Sequence, residues 1–156
     1  MDIAIRQALA ADIPGLVELM REFYGESGYD LDVSRAARSF EMLLADSTLG
    51  TGWVFLADSI AIGYVVLTVR FSMESGGLDA CIDDLYVRPA HRRQGIARRG
   101  LEQLFAECVR RGILAVRVEV AAGDPPALSL YRSVGMQPDD DGRQVLRVEL
   151  PRAKEA

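Results

Sequence analysis

The sequence has few of the residues that build covalent or metal frameworks. Its 156 residues include two cysteines, Cys81 and Cys108, and one histidine, His91. Neither cysteine has a metal-ligating partner at a useful spacing. We therefore expect reduced thiols that pack as small hydrophobic side chains, a histidine that lies in a loop, and no bound metal.

Long apolar runs and a basic charge balance are also missing. No run reaches the roughly 18–20 residues that a membrane span needs. The first residues, MDIAIRQALAAD, lack the basic start and long apolar stretch of a signal peptide. The net charge of −5 disfavours a general affinity for nucleic acid or for an anionic membrane. We therefore expect a cytoplasmic protein that binds neither.

The composition is typical of one globular domain. Hydrophobic residues make up 49% of the chain and charged residues 26%, which suffices for one sizeable core but not for two. Neither a linker nor an internal repeat interrupts the pattern. We expect a single domain over residues 1–150, followed by a short tail at 151–156.

In some segments the apolar residues recur at every second position, as in a strand, and in others they recur at the spacing of a helix. The pattern predicts strands at 3–6, 53–56, 62–67, 80–87, 116–120 and 145–150, and helices at 12–23, 34–44, 95–111 and 125–134. Glycines at 25 and 28 are expected to end the first helix. This order predicts an α/β (α+β) fold, with a mixed central sheet of about six or seven strands flanked on both faces by about four helices.

The most informative stretch joins the predicted strand at 80–87 to the helix that follows it. Five arginines crowd this region of an otherwise acidic chain: Arg88, Arg92, Arg93, Arg98 and Arg99. A helix N-terminus carries unpaired N–H groups that bind phosphate, and a glycine there lets a ligand approach the backbone closely. The pattern indicates a phosphate site, the alternative being a solvated basic helix start. The Gly-Lys-Ser/Thr sequence of a nucleotide P-loop is absent, and so is the Gly-x-Gly-x-x-Gly motif.

Two segments carry a resemblance to a known family. Residues 92–97, RRQGIA, resemble the Arg/Gln-x-x-Gly-x-Gly/Ala pyrophosphate loop of the GNAT superfamily of N-acetyltransferases. Residues 127–136, ALSLYRSVGM, are similar to its second signature, Ala-x-x-x-Tyr-x-x-x-Gly-Phe. The paired acids before Leu85 also resemble those of spermidine/spermine-type small-amine acetyltransferases. The resemblance implies a GNAT-like fold, acetyl-CoA as co-substrate, and transfer of its acetyl group to a primary amine by direct attack on the thioester.

The resemblance also implies where the cofactor binds. Backbone groups of Leu85 and Val87 would pair with the pantetheine arm, and amides of the 93–98 loop would hold the pyrophosphate. The full set of expected cofactor-binding residues is Leu85, Tyr86, Val87, Arg92, Arg93, Gln94, Gly95, Ile96, Ala97, Arg98, Asp124 and Ala127. Two residues depart from the family pattern. Asp124 stands where the family has Asn, so it can only accept a hydrogen bond, and Arg93 stands where many relatives have Gly.

Acetyl transfer sets two chemical tasks. An alkylamine, with a pKa of about 10.4, is protonated at neutral pH, so the site must remove a proton. It must also stabilise the departing thiolate. Asp83 and Asp84 are the candidates for the first task, and the resemblance favours Asp83. Adjacent strand residues face opposite sides unless a bulge intervenes, and either acid could instead pair with an arginine.

Tyr131 is the candidate proton donor, the alternative being a core aromatic. A backbone N–H near Leu85 would meet the oxyanion.

The acceptor is expected to be a small cationic amine. Tyr24, Glu26 and Glu119 are the predicted acceptor-binding residues, because acids and aromatics suit a cation. An ordinary surface loop has the same composition. The sequence leaves open an amino acid or a protein N-terminus as acceptor, a non-catalytic acyl-CoA-binding or regulatory protein, and an interaction domain without cofactor. A homodimer is compatible with all of them.

Overall fold

We describe the protein from a computed structural model, which places residues 1–139 and 142–153. The predicted tail at 151–156 therefore lies partly outside the described residues. In chain order the elements are β1 (Ile3–Gln7), α1 (Ile13–Glu26), α2 (Val33–Ala45), β2 (Gly50–Ala57), β3 (Ile60–Ser72), β4 (Gly77–Val87), α3 (Ile96–Arg110), β5 (Val116–Val118) and α4 (Pro125–Ser133). Short 3-10 turns occupy Ala10–Asp12 and Pro89–His91.

The strands form one sheet in the order β1-β2-β3-β4-β5. The first four pair antiparallel, with α1 and α2 between β1 and β2 and hairpins joining β2, β3 and β4, whereas β5 follows the α3 crossover and runs parallel to β4. The predicted mixed α/β class is confirmed. The predicted strand count was too high, because the sheet has five strands within the part of the chain that the structure describes.

The last predicted strand, at 145–150, does not form. Alternation of apolar and polar residues describes a strand with one buried face, but the pattern does not supply the neighbouring edge that a strand must pair with. The apolar side chains of this segment are exposed. The prediction at this point was wrong. The first helix also differs slightly from expectation, because it continues through Gly25 to Glu26 before the chain turns at Gly28, where φ is 79°.

The helices cover the two faces of the sheet and form two apolar cores. On one face α1 and α2 pack their buried stripes, which include Leu16 and Phe40, against Tyr64 of β3. On the other face α3 packs Leu101 and Leu104 against the centre of the sheet, and α4 extends the same core. The 3.6-residue apolar spacing of each helix produces this single buried stripe. No described helix is long and apolar enough to cross a membrane.

A bulge in β4 determines the geometry of the site. Asp84 pairs with Val66 of β3, and the next pair is Ile82 with Leu67, so Asp83 has no partner on β3. An inserted residue reverses the face that later side chains occupy. Pairing with β5 also ends at Ile82. Within the described residues, the outer edge of β4 is therefore unpaired from Asp83 onward.

Close packing of α3 on the sheet gives a test of the fold. A Cβ added at Gly100 would lie 2.5 Å from the ring of the fully buried Phe55. We expect Gly100→Ala to lower the free energy of unfolding by about 1–3 kcal/mol, as overpacking does. In the control, Gly25→Ala meets nothing within 4 Å on α1 and should raise stability by about 0.5–1 kcal/mol. Urea unfolding measures both, and equal effects would contradict the packing.

Candidate active site

The free edge of β4 and the first turn of α3 border one cavity of about 520 Å³. The predicted cofactor-binding residues that line it are Leu85, Tyr86, Val87, Arg92, Arg93, Gly95, Ile96, Ala97, Arg98, Asp124 and Ala127. Tyr131, a predicted catalytic residue, lies in the same wall. Gln94 is not among the lining residues, and its side-chain amide donates to the Ala90 carbonyl at 3.4 Å. The structure thus brings together residues from both sequence motifs.

The start of α3 is shaped to receive an anion. Gly95 is the N-cap residue with φ 75°, and no side chain caps the helix there. The first backbone N–H groups of the helix have no partner within it, so they and the helix dipole favour a negative group. Arg93 is also left-handed, with φ 64°. That conformation favours glycine, which explains why a glycine at this position is common in the family that the loop resembles.

Arg92 is held by the protein itself. Its guanidinium donates to the Val87 carbonyl at 2.7 Å and to the Glu26 carboxylate at 2.6 Å, and it lies 5.4 Å from the centre of the Tyr86 ring. Glu26, which was predicted to bind the acceptor, is therefore placed in the wall of the cofactor cavity. The pair joins the end of α1 to the loop before α3.

Two further arginines of the cluster have carboxylate partners. Arg88 makes two hydrogen bonds to Glu22 of α1, at 2.8 and 3.0 Å. Arg98 donates to Glu102 one turn later in α3, at 2.9 Å. The basic cluster is thus largely neutralised by acids, which leaves the backbone amides of the loop as the main donors toward a phosphate.

Asp124 and Tyr131 lie on α4, at the far wall of the cavity. The Asp124 carboxylate accepts from the Ala127 N–H at 3.1 Å and so caps the helix. Tyr131 is 8% exposed. Burial, with smaller effects from Asp124 and Cys81, raises the pKa of Tyr131 to about 12. The phenol therefore stays protonated at neutral pH and can donate a proton.

Asp84 is buried on the α1 side of the sheet, where two tyrosines bind it. The Tyr64 hydroxyl donates at 2.9 Å and the Tyr24 hydroxyl at 3.2 Å. Burial raises the pKa of Asp84, and the bond from Tyr64 opposes that rise. The pKa values of both tyrosines are raised, first by burial and then by the Asp84 charge. Tyr24 was predicted to bind the acceptor, and the structure places its hydroxyl on this carboxylate.

Tyr64 was not predicted as part of the site. It lies within the apolar run of β3, and its hydroxyl in an otherwise hydrophobic strand is the only signal that the sequence offers. Its role depends on register, because the bulge places Asp84 on the face that carries this hydroxyl.

Asp83 and Glu119 lie where β4 and β5 separate. Both side chains are exposed. Burial raises the pKa of the Cys81 thiol, and the charges of Asp83 and Glu119 raise it further. Neither carboxylate is among the residues that line the cofactor cavity. Residues 1–139 and 142–153 place no group of three or more His, Cys, Asp or Glu side chains where they could hold a metal ion.

The chain is similar to known proteins in both sequence and fold. The chain is 33% identical over 75 residues to the ribosomal protein bS18-alanine N-acetyltransferase of Escherichia coli K12, covering 42% of this chain and 51% of that protein. The chain therefore spans about half the length of the curated relatives it matches. The structure of an integron cassette protein from the mobile metagenome of Cole Harbour Salt Marsh is 36% identical, with a TM-score of 0.85 over 96% of this chain and 91% of that chain.

A more distant structure shows the fold alone. It is a predicted acetyltransferase with acetyl-CoA from Clostridium acetobutylicum, 21% identical, with a TM-score of 0.75 over 93% of this chain and 96% of that chain. The family model described as acetyltransferase (GNAT) family matches residues 13–136, which include the loop before α3, the bulged strand and Tyr131. This match covers most of the chain, and the protein belongs to the acetyltransferase (GNAT) family.

Proposed function

We propose that this chain is an acetyl-CoA-dependent N-acetyltransferase that acts on a primary amine. The observation that carries the proposal is one cavity that combines an anion-binding helix start, an unpaired strand edge and a buried phenol. Acetyl-CoA has a pyrophosphate, an amide-bearing pantetheine arm and a thioester, which are the groups that these three features can bind. A metal is not needed for this chemistry.

Binding falls mainly to the backbone. The N–H groups at the start of α3 hold the pyrophosphate, because the N-terminus of a helix attracts negative charge. Arg93 adds a positive charge beside them. The free edge of Leu85 and the N–H of Val87 pair with amide groups of the pantetheine arm as an added strand would, while the Val87 carbonyl accepts from Arg92. Because Arg92 is bound to Glu26, its role is to hold the loop rather than to meet the phosphate.

Acetyl-CoA supplies an acetyl group activated as a thioester. Asp83 attracts the protonated amine and accepts one proton from it, directly or through water, so that the nitrogen lone pair can attack the thioester carbon. A backbone N–H near Leu85 stabilises the oxyanion. Tyr131, whose pKa burial raises, stays protonated until it donates to the sulfur as the C–S bond breaks, and the second proton that the nitrogen loses restores the phenol.

Two exposed acids support a cationic acceptor. Asp83 and Glu119 are both exposed, and the charges of both act on the Cys81 thiol. A small cationic amine is the acceptor that we propose from these charges. A protein N-terminus is the second candidate, favoured by the curated relatives, whose names specify the alanine of ribosomal protein bS18. An α-amino group has a pKa of about 7.7–8.0, so it loses its proton more readily than an alkylamine does. Thiol release with polyamines and with alanine-initiated peptides separates the two.

Cofactor binding is tested at Gly95. We expect Gly95→Val to abolish acetyl-CoA binding in calorimetry, because the side chain would enter open space above the helix start and strain a φ of 75°. Gly112→Val is the matched control, since it imposes the same strain at φ 74° on the other end of α3. The control should bind acetyl-CoA normally. Unchanged affinity in Gly95→Val would remove the pyrophosphate assignment.

Proton donation is tested at Tyr131. We expect Tyr131→Phe to lower kcat by roughly 10²–10⁴-fold, the usual effect of general acid catalysis, while the Kd for acetyl-CoA changes little. The measurement is steady-state thiol release together with calorimetry. Tyr29→Phe, at a tyrosine that is 69% exposed, is the control and should be silent. A loss of kcat below about threefold would show that Tyr131 packs in the core and does not donate the proton.

Proton acceptance is tested at the paired acids. We expect Asp83→Asn to raise the KM of the acceptor and to move the pH–rate profile toward alkaline values, because the amine must then lose its proton without a carboxylate. Asp84→Asn should affect the rate less, since Asp84 is buried under two tyrosines. The role of Asp83 is contradicted if its variant keeps both rate and pH dependence. A neutral or acidic best acceptor would contradict the cationic-acceptor assignment.

A further inference from the structure

Asp79 of β4 is a fully buried carboxylate that two arginines bind. Arg70, its pairing partner on β3, donates to it through two nitrogens, at 2.7 and 3.1 Å. Arg117 of β5 donates to it at 3.2 Å. The hydrogen bonds from Arg70 are the main reason why the pKa of Asp79 lies below its usual range, so the carboxylate is ionised at neutral pH. One negative and two positive charges thus join three neighbouring strands.

The two arginines carry more positive charge than Asp79 neutralises. About half of each side chain is exposed, 55% for Arg70 and 50% for Arg117. Within residues 1–139 and 142–153, Asp79 is the only carboxylate that binds either guanidinium. A guanidinium has five N–H groups in a planar fork that matches a carboxylate. The exposed N–H groups of this pair can therefore bind an anion from solution.

The arginine pair lies on the face of the sheet that is opposite to α3. Ala80 belongs to the core under α3, and successive residues of a strand point to opposite faces. Asp79 and Cys81 therefore face the other side. Cys81 pairs with Arg117 of β5, whose guanidinium reaches across to Asp79. The site is thus separate from the core and open on the side of the exposed acids.

Cys81 lies between the arginine pair and the exposed acids. Burial raises the pKa of its thiol, the charges of Asp83 and Glu119 raise it further, and those of Arg117 and Arg70 lower it. All four charged groups therefore act at this one side chain. Asp83 is two residues beyond Cys81 on β4, a rise of about 6.6 Å. About five extended carbon–carbon bonds of about 1.5 Å span such a distance, so one small molecule can reach both charges.

We propose that the acceptor is a small diamino carboxylic acid, whose carboxylate binds Arg70 and Arg117 while its ammonium groups meet Asp83 and Glu119. This inference rests on the proposed acetyl transfer and specifies its substrate class. Together with Asp79, the four groups carry one net negative charge, which two ammonium groups and one carboxylate balance. A plain diamine would leave the arginine pair without an anion. A monoamino acid would leave one exposed acid without a cation.

Matched acceptors test the substrate class. L-lysine and pentane-1,5-diamine differ only in the carboxylate, and L-lysinamide keeps both amines but replaces the carboxylate by a neutral amide. In thiol release with acetyl-CoA, kcat/KM for lysine should be at least about tenfold above that for either analogue, because a charge-assisted hydrogen bond is lost in both. Equal values for the three would overturn the carboxylate site and leave acetyl transfer to amines intact.

A variant at Arg117 tests the residue. Arg117→Gln should keep the fold, since Arg70 still makes two hydrogen bonds to Asp79. It should raise the KM for lysine about tenfold and leave the kinetic constants of the diamine unchanged. Arg38→Gln removes the same charge from an exposed arginine of α2 and is the control, which should behave as the native chain does. An equal loss with lysine and with the diamine would contradict the assignment.

Calorimetry separates this site from the transfer reaction. With the chain saturated with CoA, which has no acetyl group to give, lysine should bind about tenfold more tightly to the native chain than to Arg117→Gln. This difference without thiol release from acetyl-CoA would keep the carboxylate site and overturn the proposed transfer. Equal binding to both chains, or no binding of lysine to the native chain, would overturn the carboxylate site.

Discussion

One unpaired residue in β4 is the constraint on which the site depends. Asp83 has no partner on β3, and pairing with β5 ends one residue earlier, at Ile82. Because of the inserted residue, Asp84 is buried against α1 while Leu85 joins the core under α3. The two strands separate at the same point, so backbone groups of β4 that would otherwise bind a neighbouring strand are left for a ligand. A strand without the bulge would offer neither the edge nor this distribution of side chains.

The loop before α3 depends on ion pairs with α1 more than on its own charge. Arg88 and Arg92 are bound to Glu22 and Glu26 respectively, so the acids of α1 neutralise two arginines of the cluster. These half-exposed pairs add little stability individually. Their effect is geometric, because they fix the loop against the rest of the domain while the backbone of α3 presents its N–H groups. In the proposed function the phosphate is bound by this preorganised helix start, which a change of surface charge alters less than a change of backbone conformation at Gly95.

Local patterns predicted most of the fold and part of the site. Apolar periodicity identified four helices and five strands because each buries one face. The loop at 92–97 was recognisable because it combines arginines with a glycine directly before a helix. Contacts between distant segments were not predictable. Tyr64 reaches Asp84 only through strand register, and Glu26 reaches Arg92 from 66 positions away in the sequence. The prediction of a strand at 145–150 was wrong for a related reason. Alternation shows that one face of a segment is apolar, but it does not show which surface would cover that face.

The adjacent acids Asp83 and Asp84 acquire different chemistry from their surroundings. Asp84 is held by Tyr24 and Tyr64, whose hydroxyls stay protonated because burial and the carboxylate raise their pKa values. Moving that carboxylate would break two hydrogen bonds in a buried place, so Asp84 is suited to fixing α1 on the sheet. Asp83 is exposed at the bulge, where a carboxylate can meet an ammonium ion without a large desolvation cost. The difference in environment, rather than in residue type, is the reason why we propose proton transfer for the exposed acid, while the buried one accepts hydrogen bonds from Tyr24 and Tyr64.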